Sequence, residues 1–387
     1  MKKKIAIITT HPIQYHSPLF SLLHARGKVQ VKVFYTWGIK VTDEKYDPDF
    51  KRIVKWDIPL LEGYDYEFID NISKNPGSHH FSGINNPELI DKITEWRPES
   101  VLVFGWNFKS HLQVMRYFKG KIPVLFRGDS TLLDEAHHLS FKKILRRISL
   151  KWVYSFIDKA LYVGRANKQY FLQHGVKEAQ LILAPHAIDN GRFLLTENIK
   201  VKASNIRYEN GIGKHDIVFL FAGKLEEKKD PRLIIEAFLN IESFKAHLII
   251  IGNGVLESEL LKMTKGSKNI HFLGFQNQSQ MPVMYALSDV FVLPSKGPGE
   301  TWGLSVNEAM ASGKPVIVSD ACGCAEDLVE NGLNGYIFRH GNKEELNHCM
   351  QVLLNNQDTR LNMGDKSLKK ISSWSFNAIC DALEQII

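Results

Sequence analysis

The sequence predicts an α/β chain of two Rossmann-like domains whose parallel sheets face a central cleft. Three observations carry that expectation. The chain has 387 residues, too many for one ordinary α/β core. Short apolar runs alternate with helix-like segments along nearly its whole length, as parallel strands with helical crossovers do. The alternation also comes in two successive sets of about five runs.

In the first set, KIAIIT, VQVKVFY, SVLVFGW, IPVLFRG and KALYVG read as strands, with helical segments such as SPLFSLLHARG between them. In the second set, DIVFLFAGKL, AHLIIIGNG, NIHFLGF, DVFVLPS and KPVIVSD repeat the plan. The join is expected near APHAIDNGRF, residues 184–193. We take residues 1–190 as the first domain, completed by a C-terminal helix at about 372–387, and 191–371 as the second. An open parallel sheet binds ligands at the carboxyl ends of its strands. Chemistry is therefore expected in the loops that follow strands.

With 44% hydrophobic and 24% charged residues the chain reads as globular. Its four cysteines form no disulfide framework, so a reducing, cytoplasmic setting is expected. Cys322-Gly-Cys324 lacks metal-ligand spacing, and no metal site is expected. The apolar run Ile5–Ile8 is too short for a secretory signal and reads as a first strand. No stretch approaches the ~20 apolar residues of a membrane span. The net charge of +7 calls for an anionic partner. Zinc-finger spacing, RNP-like aromatic strands and a basic arm are lacking, so phosphorylated small molecules and acidic membranes are favoured over nucleic acid.

The strand ending at Phe221 and Ala222 meets Gly223, which lets backbone approach a ligand, then Lys224 and Lys229. Asp230 and Pro231 follow as an N-cap and a first-turn proline. Two ammonium groups beside a helix N-terminus suit a diphosphate, although a solvated charged turn would look the same. In GETWGLSVNEAMASGKPV, Glu300 stands in a loop after a strand and Glu308 lies inside the following helix, closed by Gly313. Between them the amides of Trp302, Gly303 and Leu304 open the helix, where anions are favoured. An ordinary helix with an acidic start is the alternative. The loop Gly252-Asn253-Gly254 is not a dinucleotide fingerprint. Further along, Glu326 opens a helix, and Gly332 and Gly335 read as tight turns.

The order AGKLEEKKD, GNG, LGF, LPSKGPGETWGLSVNEAMASGKPVI, GCAEDLVENGLNGYIF resembles the donor half of retaining glycosyltransferases of family 4, which have the GT-B fold. The resemblance covers roughly residues 216–340. It implies that Glu300 binds the transferred sugar, Glu308 the ribose, and Lys224 with Lys229 the diphosphate of a UDP- or GDP-linked donor, with Lys224 in place of the usual arginine. Asp230 replaces a usual glycine. Gly223, Gly252, Asn253, Gly254, Phe275 and Thr301 complete the implied donor site, with no cofactor and no metal. Glu300, Lys224 and Lys229 would act on the reacting groups.

The first half fits this family less closely. The loop TTHPIQYHSPLF offers His11, Gln14, Tyr15 and His16 to an acceptor, and VLFRGDS offers Arg127 and Asp129. Each has an ordinary structural alternative. Asp47 and Asp49 in YDPDF match a metal-binding Asp-x-Asp but lie far from the donor half. The pairs His79-His80 and His137-His138 read as surface loops. In residues 140–156, Phe141, Ile144, Leu145, Ile148 and Trp152 form one helical stripe among Lys142, Lys143, Arg146, Arg147 and Lys151. This is either a helix packed on the sheet with a solvated basic face or a peripheral contact with an anionic membrane.

The leading functional expectation is a retaining, metal-independent glycosyltransferase acting on a glycan or lipid-linked glycan acceptor in the synthesis of a surface polysaccharide, lipopolysaccharide or glycolipid. A glycosidase using Glu300 and Glu308, and a non-catalytic nucleotide-sugar binder, are the alternatives.

Overall fold

The computed structural model describes residues 2–38, 45–47, 52–135 and 141–387. His137, His138, Asp49 and the Asp47 side chain lie outside the described residues. The strands, in chain order, are β1 (Lys3–Thr9), β2 (Val29–Tyr35), β3 (Lys45–Asp47), β4 (Arg52–Val54), β5 (Asp65–Phe68), β6 (Ser100–Phe104), β7 (Val124–Arg127), β8 (Lys159–Tyr162) and β9 (Leu181–Leu183). They continue with β10 (Ile217–Ala222), β11 (Ala246–Ile251), β12 (Ile270–Gly274), β13 (Val290–Leu293), β14 (Val316–Ser319) and β15 (Gly335–Phe338).

The chain divides into two compact units. The first comprises Met1–Lys45, Ile58–Pro185 and Phe376–Ile387, and the second Tyr46–Asp57 and His186–Ser375. The divisions thus fall at 185/186 and 375/376 rather than at 190 and 371, and local bonding explains the shift. The Asn190 amide donates to the carbonyls of Ile371 and Trp374, and Ile188 bridges to Ser375, so residues 186–190 belong with 371–375. The segment ending at Asp57 joins the second unit because Asn277 donates to the Lys55 carbonyl and the Ser279 amide to Asp57.

The first unit holds a seven-stranded sheet in the order β5-β2-β1-β6-β7-β8-β9, and the second a six-stranded sheet in the order β12-β11-β10-β13-β14-β15. Neighbouring strands run parallel in both sheets. Central strands covered on both faces need apolar residues at consecutive positions. Ile5–Ile8 of β1, Val218–Phe221 of β10 and all of β11 are accordingly buried. Between strands, helices turn one apolar stripe inward, as Leu19, Phe20 and Leu23 do after β1. The helix Pro231–Leu239 begins on its proline and buries Leu233, Ile234, Ile235 and Phe238. The C-terminal helix Phe376–Ile386 is held in the first unit by Arg26, 2.8 Å from Glu384, and by Lys28, 2.9 Å from the same carboxylate.

Two local expectations are corrected. Gly335 begins β15 rather than forming a turn, and a side chain there would strike the Val316 carbonyl of β14. The stripe on the helix Phe141–Tyr154 does not pack on the sheet. Leu150, Val153 and Tyr154 are the buried residues of that helix, while Phe141, Ile144, Leu145, Ile148 and Trp152 are exposed.

Candidate functional site

In the second unit, the loops after β10, β11 and β13 meet at the carboxyl edge of the sheet. β10 pairs with β11 on one side and β13 on the other, so those three loops start side by side. The glycines of the β11 loop serve this approach. Gly252 has φ of 129°, and a side chain on it would collide with the Gly223 carbonyl; one on Gly254 would collide with the Leu225 carbonyl. The Leu225 amide donates to the Asn253 carbonyl at 3.0 Å, and the Leu256 amide to the Leu225 carbonyl at 3.0 Å. Asn253 is occupied within the loop: its amide reaches Glu257 at 3.0 Å and its oxygen accepts from the Phe275 amide at 2.9 Å. The Phe275 ring stands 6.3 Å from that of Trp56.

Lys224 and Lys229 both leave the β10 loop. Lys229 Nζ lies 2.5 Å from Glu300 Oε2, which also accepts from the Ser295 hydroxyl at 2.9 Å. Glu300 is only 7% exposed, and a buried carboxylate is tolerated when such partners meet it. Its Oε1 points along Gly303, the residue before the helix Leu304–Ala311. Gly303 takes φ of 99°, and a side chain there would press on Leu293 and approach Glu300. Thr301 and its neighbours are fixed by the segment after β14: the Gly323 amide donates to the Glu300 carbonyl and the Cys324 amide to the Trp302 carbonyl, each at 3.0 Å.

Glu308, on the fifth residue of the helix, is 3% exposed and accepts from the Tyr285 hydroxyl at 2.7 Å. The Trp302 indole donates to Asn307 at 2.8 Å and stacks on Trp374, so its ring is a packing element while its backbone frames the helix start. First-turn amides of a helix have no intrahelical acceptor, and the loop ending at Gly303 leads Glu300 to that position. Asp230 adopts the left-handed conformation, with φ of 49°, where glycine is at ease and Asp among the better substitutes. Its expected side-chain cap is not formed.

Four residues join the site that pattern reading passed over. Ser295 and Tyr285 hold the two glutamates. Lys296 donates its amide to the Lys228 carbonyl and brings its ammonium within 3.2 Å of Glu227, adding a further cation to the joined loops. Asn307 links Trp302 to the His186 carbonyl. The signal for Asn307 was visible as two consecutive polar residues in the middle of a largely apolar helix. The others depend on loop contacts that no local pattern reports. Burial, with the Glu300 charge next, pushes the Cys322 thiol up to about 12, which keeps it protonated.

In the first unit the proposed acceptor residues sit at or after the ends of β1 and β7, the two strands that flank β6. His11 Nδ1 lies 2.9 Å from the Thr10 hydroxyl, with its ring edge-on to Trp37. Gln14 and Tyr15 lie half-buried in the turn before the helix Ser17–Ala25, and His16 packs its ring 4.7 Å from Phe104. Arg127 is buried and donates to the carbonyls of Ala184 at 2.6 Å and Pro185 at 3.1 Å, so it ties β7 to the segment after β9 rather than facing an acceptor. Asp129 is exposed beside a cavity of about 320 Å³ lined also by Trp106, Asn107, Arg146 and Tyr170. His80 meets Ser82, and among the described residues no three His, Cys, Asp or Glu side chains gather as metal ligands. No described helix is long and apolar enough to cross a membrane.

Two parallel-sheet units of this kind define the GT-B fold. The structure resembles HepE from Anabaena solved with UDP, at a TM-score of 0.73 and 18% identity over 100% of this chain and 99% of that one. WaaG, a glycosyltransferase involved in lipopolysaccharide biosynthesis, matches at 0.67 and 16% over 99% of each chain. Residues 202–370 match the model of the family glycosyl transferases group 1. A sulfoquinovosyl transferase of Arabidopsis thaliana is 28% identical over 76% of this chain, and an alpha-monoglucosyldiacylglycerol synthase of Acholeplasma laidlawii is 28% identical over 61%. The chain spans 57% and 62% of the length of those two relatives.

Proposed function

We propose that the protein is a retaining, metal-independent glycosyltransferase that moves a sugar from a nucleotide-diphospho-sugar to a hydroxyl of a glycan or lipid-linked glycan. The observation that carries this reading is the junction of Lys229, Glu300 and the start of the helix Leu304–Ala311 at the carboxyl edge of a parallel sheet. A cation paired with a side-chain carboxylate can exchange that partner for a phosphate. On donor binding, Lys229 and Lys224 would meet the diphosphate, the helix amides would face its charge, and Glu300 would turn to the sugar hydroxyls. Glu308, fixed by Tyr285, would accept from the ribose diol.

In the reaction the bond from the anomeric carbon to the diphosphate oxygen breaks, and a bond to the acceptor oxygen forms on the same face. The acceptor proton passes to the departing phosphate. Negative charge grows on the leaving group, so lysines placed beforehand stabilise the transition state more than the ground state. A relative named as an alpha-monoglucosyldiacylglycerol synthase supports a lipid acceptor. Cytoplasmic placement, with peripheral contact at the inner membrane face, belongs to the same reading.

A thermal-shift panel of nucleoside diphosphates and nucleotide-sugars tests it. A ligand at 100 times its dissociation constant should add ~2.7 kcal/mol of stability. Release of nucleoside diphosphate in the presence of acceptor separates a transferase from a binding protein. The absence of any shift with UDP- and GDP-linked ligands would sink the reading.

A further inference from the structure

We infer that Trp56 stacks on the nucleobase of the donor, so that a residue from the segment before β5 completes the nucleotide site of the second unit. The inference rests on the donor reading proposed above. It adds a part that the family match, confined to residues 202–370, does not contain.

The place of the ribose leads to that of the base. Glu308, assigned to the ribose, accepts from the Tyr285 hydroxyl at 2.7 Å. Tyr285 belongs to the helix Met281–Leu287, so only about 6 Å of helix rise separates it from the first residue of that helix. The loop entering the helix follows β12, and Phe275 opens it, with its amide donating to Asn253 of the β11 loop at 2.9 Å. A base is joined directly to its ribose, which brings the loop 275–280 within its reach.

Trp56 is held against this loop from both sides, and the segment ending at Asp57 belongs to the second unit. The Lys55 carbonyl, one residue before it, accepts from the Asn277 side-chain amide at 2.7 Å. Asp57, one residue after it, accepts from the Ser279 amide at 3.0 Å and from the Ser279 hydroxyl. Between these anchors the indole tilts by 47° against the Phe275 ring, with the centroids 6.3 Å apart. Rings at that spacing are in contact and leave no slot between them, so a base meets the pair from outside, on a face of the half-buried indole. The anchors use a backbone carbonyl and a carboxylate, and the indole contributes to neither. A stitch between two segments needs no aromatic at its centre, whereas a stacking platform does. The other donor contacts, to diphosphate and ribose, leave the base without a partner, and an aromatic face supplies one to any base.

The test is calorimetry of the full chain with UDP, with GDP and with inorganic pyrophosphate, the probe that has no base. Trp56→Ala should weaken the tighter-binding nucleotide roughly tenfold, within the range that one base stacked on an aromatic ring contributes. Its affinity for pyrophosphate should match that of wild type, which also shows that the variant is folded. Trp56→Phe should recover most of the loss, because a phenyl ring still stacks. Asp57→Ala, which releases one anchor, should weaken the nucleotide and spare pyrophosphate. The proposal is overturned if Trp56→Ala binds the nucleotide as wild type does, if it loses nucleotide and pyrophosphate alike, or if Trp56→Phe restores nothing. Should wild type bind neither nucleotide, the donor reading falls and this inference with it; should wild type bind and Trp56→Ala match it, the donor reading stands and this inference alone falls.

Discussion

In the second unit, the loops leaving β10 and β13 pair charged side chains with one another: Lys229 with Glu300, and Lys296 with Glu227. At the same edge of the first unit, charge and imidazole are met by backbone. Arg127 is held by the Ala184 and Pro185 carbonyls, and His111 lies between the Phe104 and Gly105 carbonyls and the Thr36 hydroxyl. The difference concerns what a ligand can displace. A side-chain counterion can move aside for a phosphate or a sugar hydroxyl, whereas a carbonyl fixed in the fold cannot. On the proposed reading, the same parallel edge builds an exchangeable site in one unit and a structural brace in the other.

The strongest way to break this contrast is to remove the cations of the second unit. Lys224→Ala with Lys229→Ala should lower the rate of nucleoside diphosphate release at least ~100-fold, because their partner's charge grows in the transition state. The melting temperature should fall as well, because Lys229 is the cation that meets the buried Glu300. A large loss of stability with near-normal turnover would make the pair a brace like Arg127.

The counterpart in the first unit is acid sensitivity. Burial holds the His111 imidazole down at about 4, below its ordinary 6.5, despite two carbonyl acceptors. The unfolded chain therefore binds a proton that the native state refuses, and stability falls as pH drops from about 6.5 towards 4. The full shift corresponds to about 3 kcal/mol. Burial lowers His247 and His271 in the second unit as well, so it should lose stability in the same direction. Denaturant unfolding followed across that range should show the slope, and His111→Gln should flatten it. An unchanged slope in the variant would remove His111 as its source.

Within the second unit, the two glutamates sharpen the comparison further. Glu308→Ala should weaken binding of the bare nucleoside diphosphate roughly tenfold, the value of one charged hydrogen bond. Glu300→Ala should act chiefly on turnover, because in the proposed complex it turns to the sugar. Calorimetry distinguishes them, and equal losses of affinity would refute the division of roles. The smallest expected effect is that of EDTA, which should leave turnover unchanged if lysines and helix amides supply the positive charge. Activity abolished by chelation and restored by Mn²⁺ would return attention to Asp47 and Asp49.

The sequence determined the strand plan wherever burial on both faces forces an unbroken apolar run, as in β1, β10 and β11. It left out β5, β9 and β15, whose three or four residues include polar or partly exposed positions that carry little periodic signal. Glu300, Glu308, Lys224 and Lys229 were legible because each sits at a fixed offset from a strand end or a helix start. Tertiary structure alone decided that Ser295 and Lys229 share one oxygen of Glu300, that Tyr285 holds Glu308, and that Arg127 faces carbonyls. It also decided that the stripe of Phe141–Tyr154 faces outward, although its spacing fits an inward face equally well. The physical reason is common to these cases. Periodicity records which residues share a side of an element, while the element packed against that side is set by contacts between distant parts of the chain.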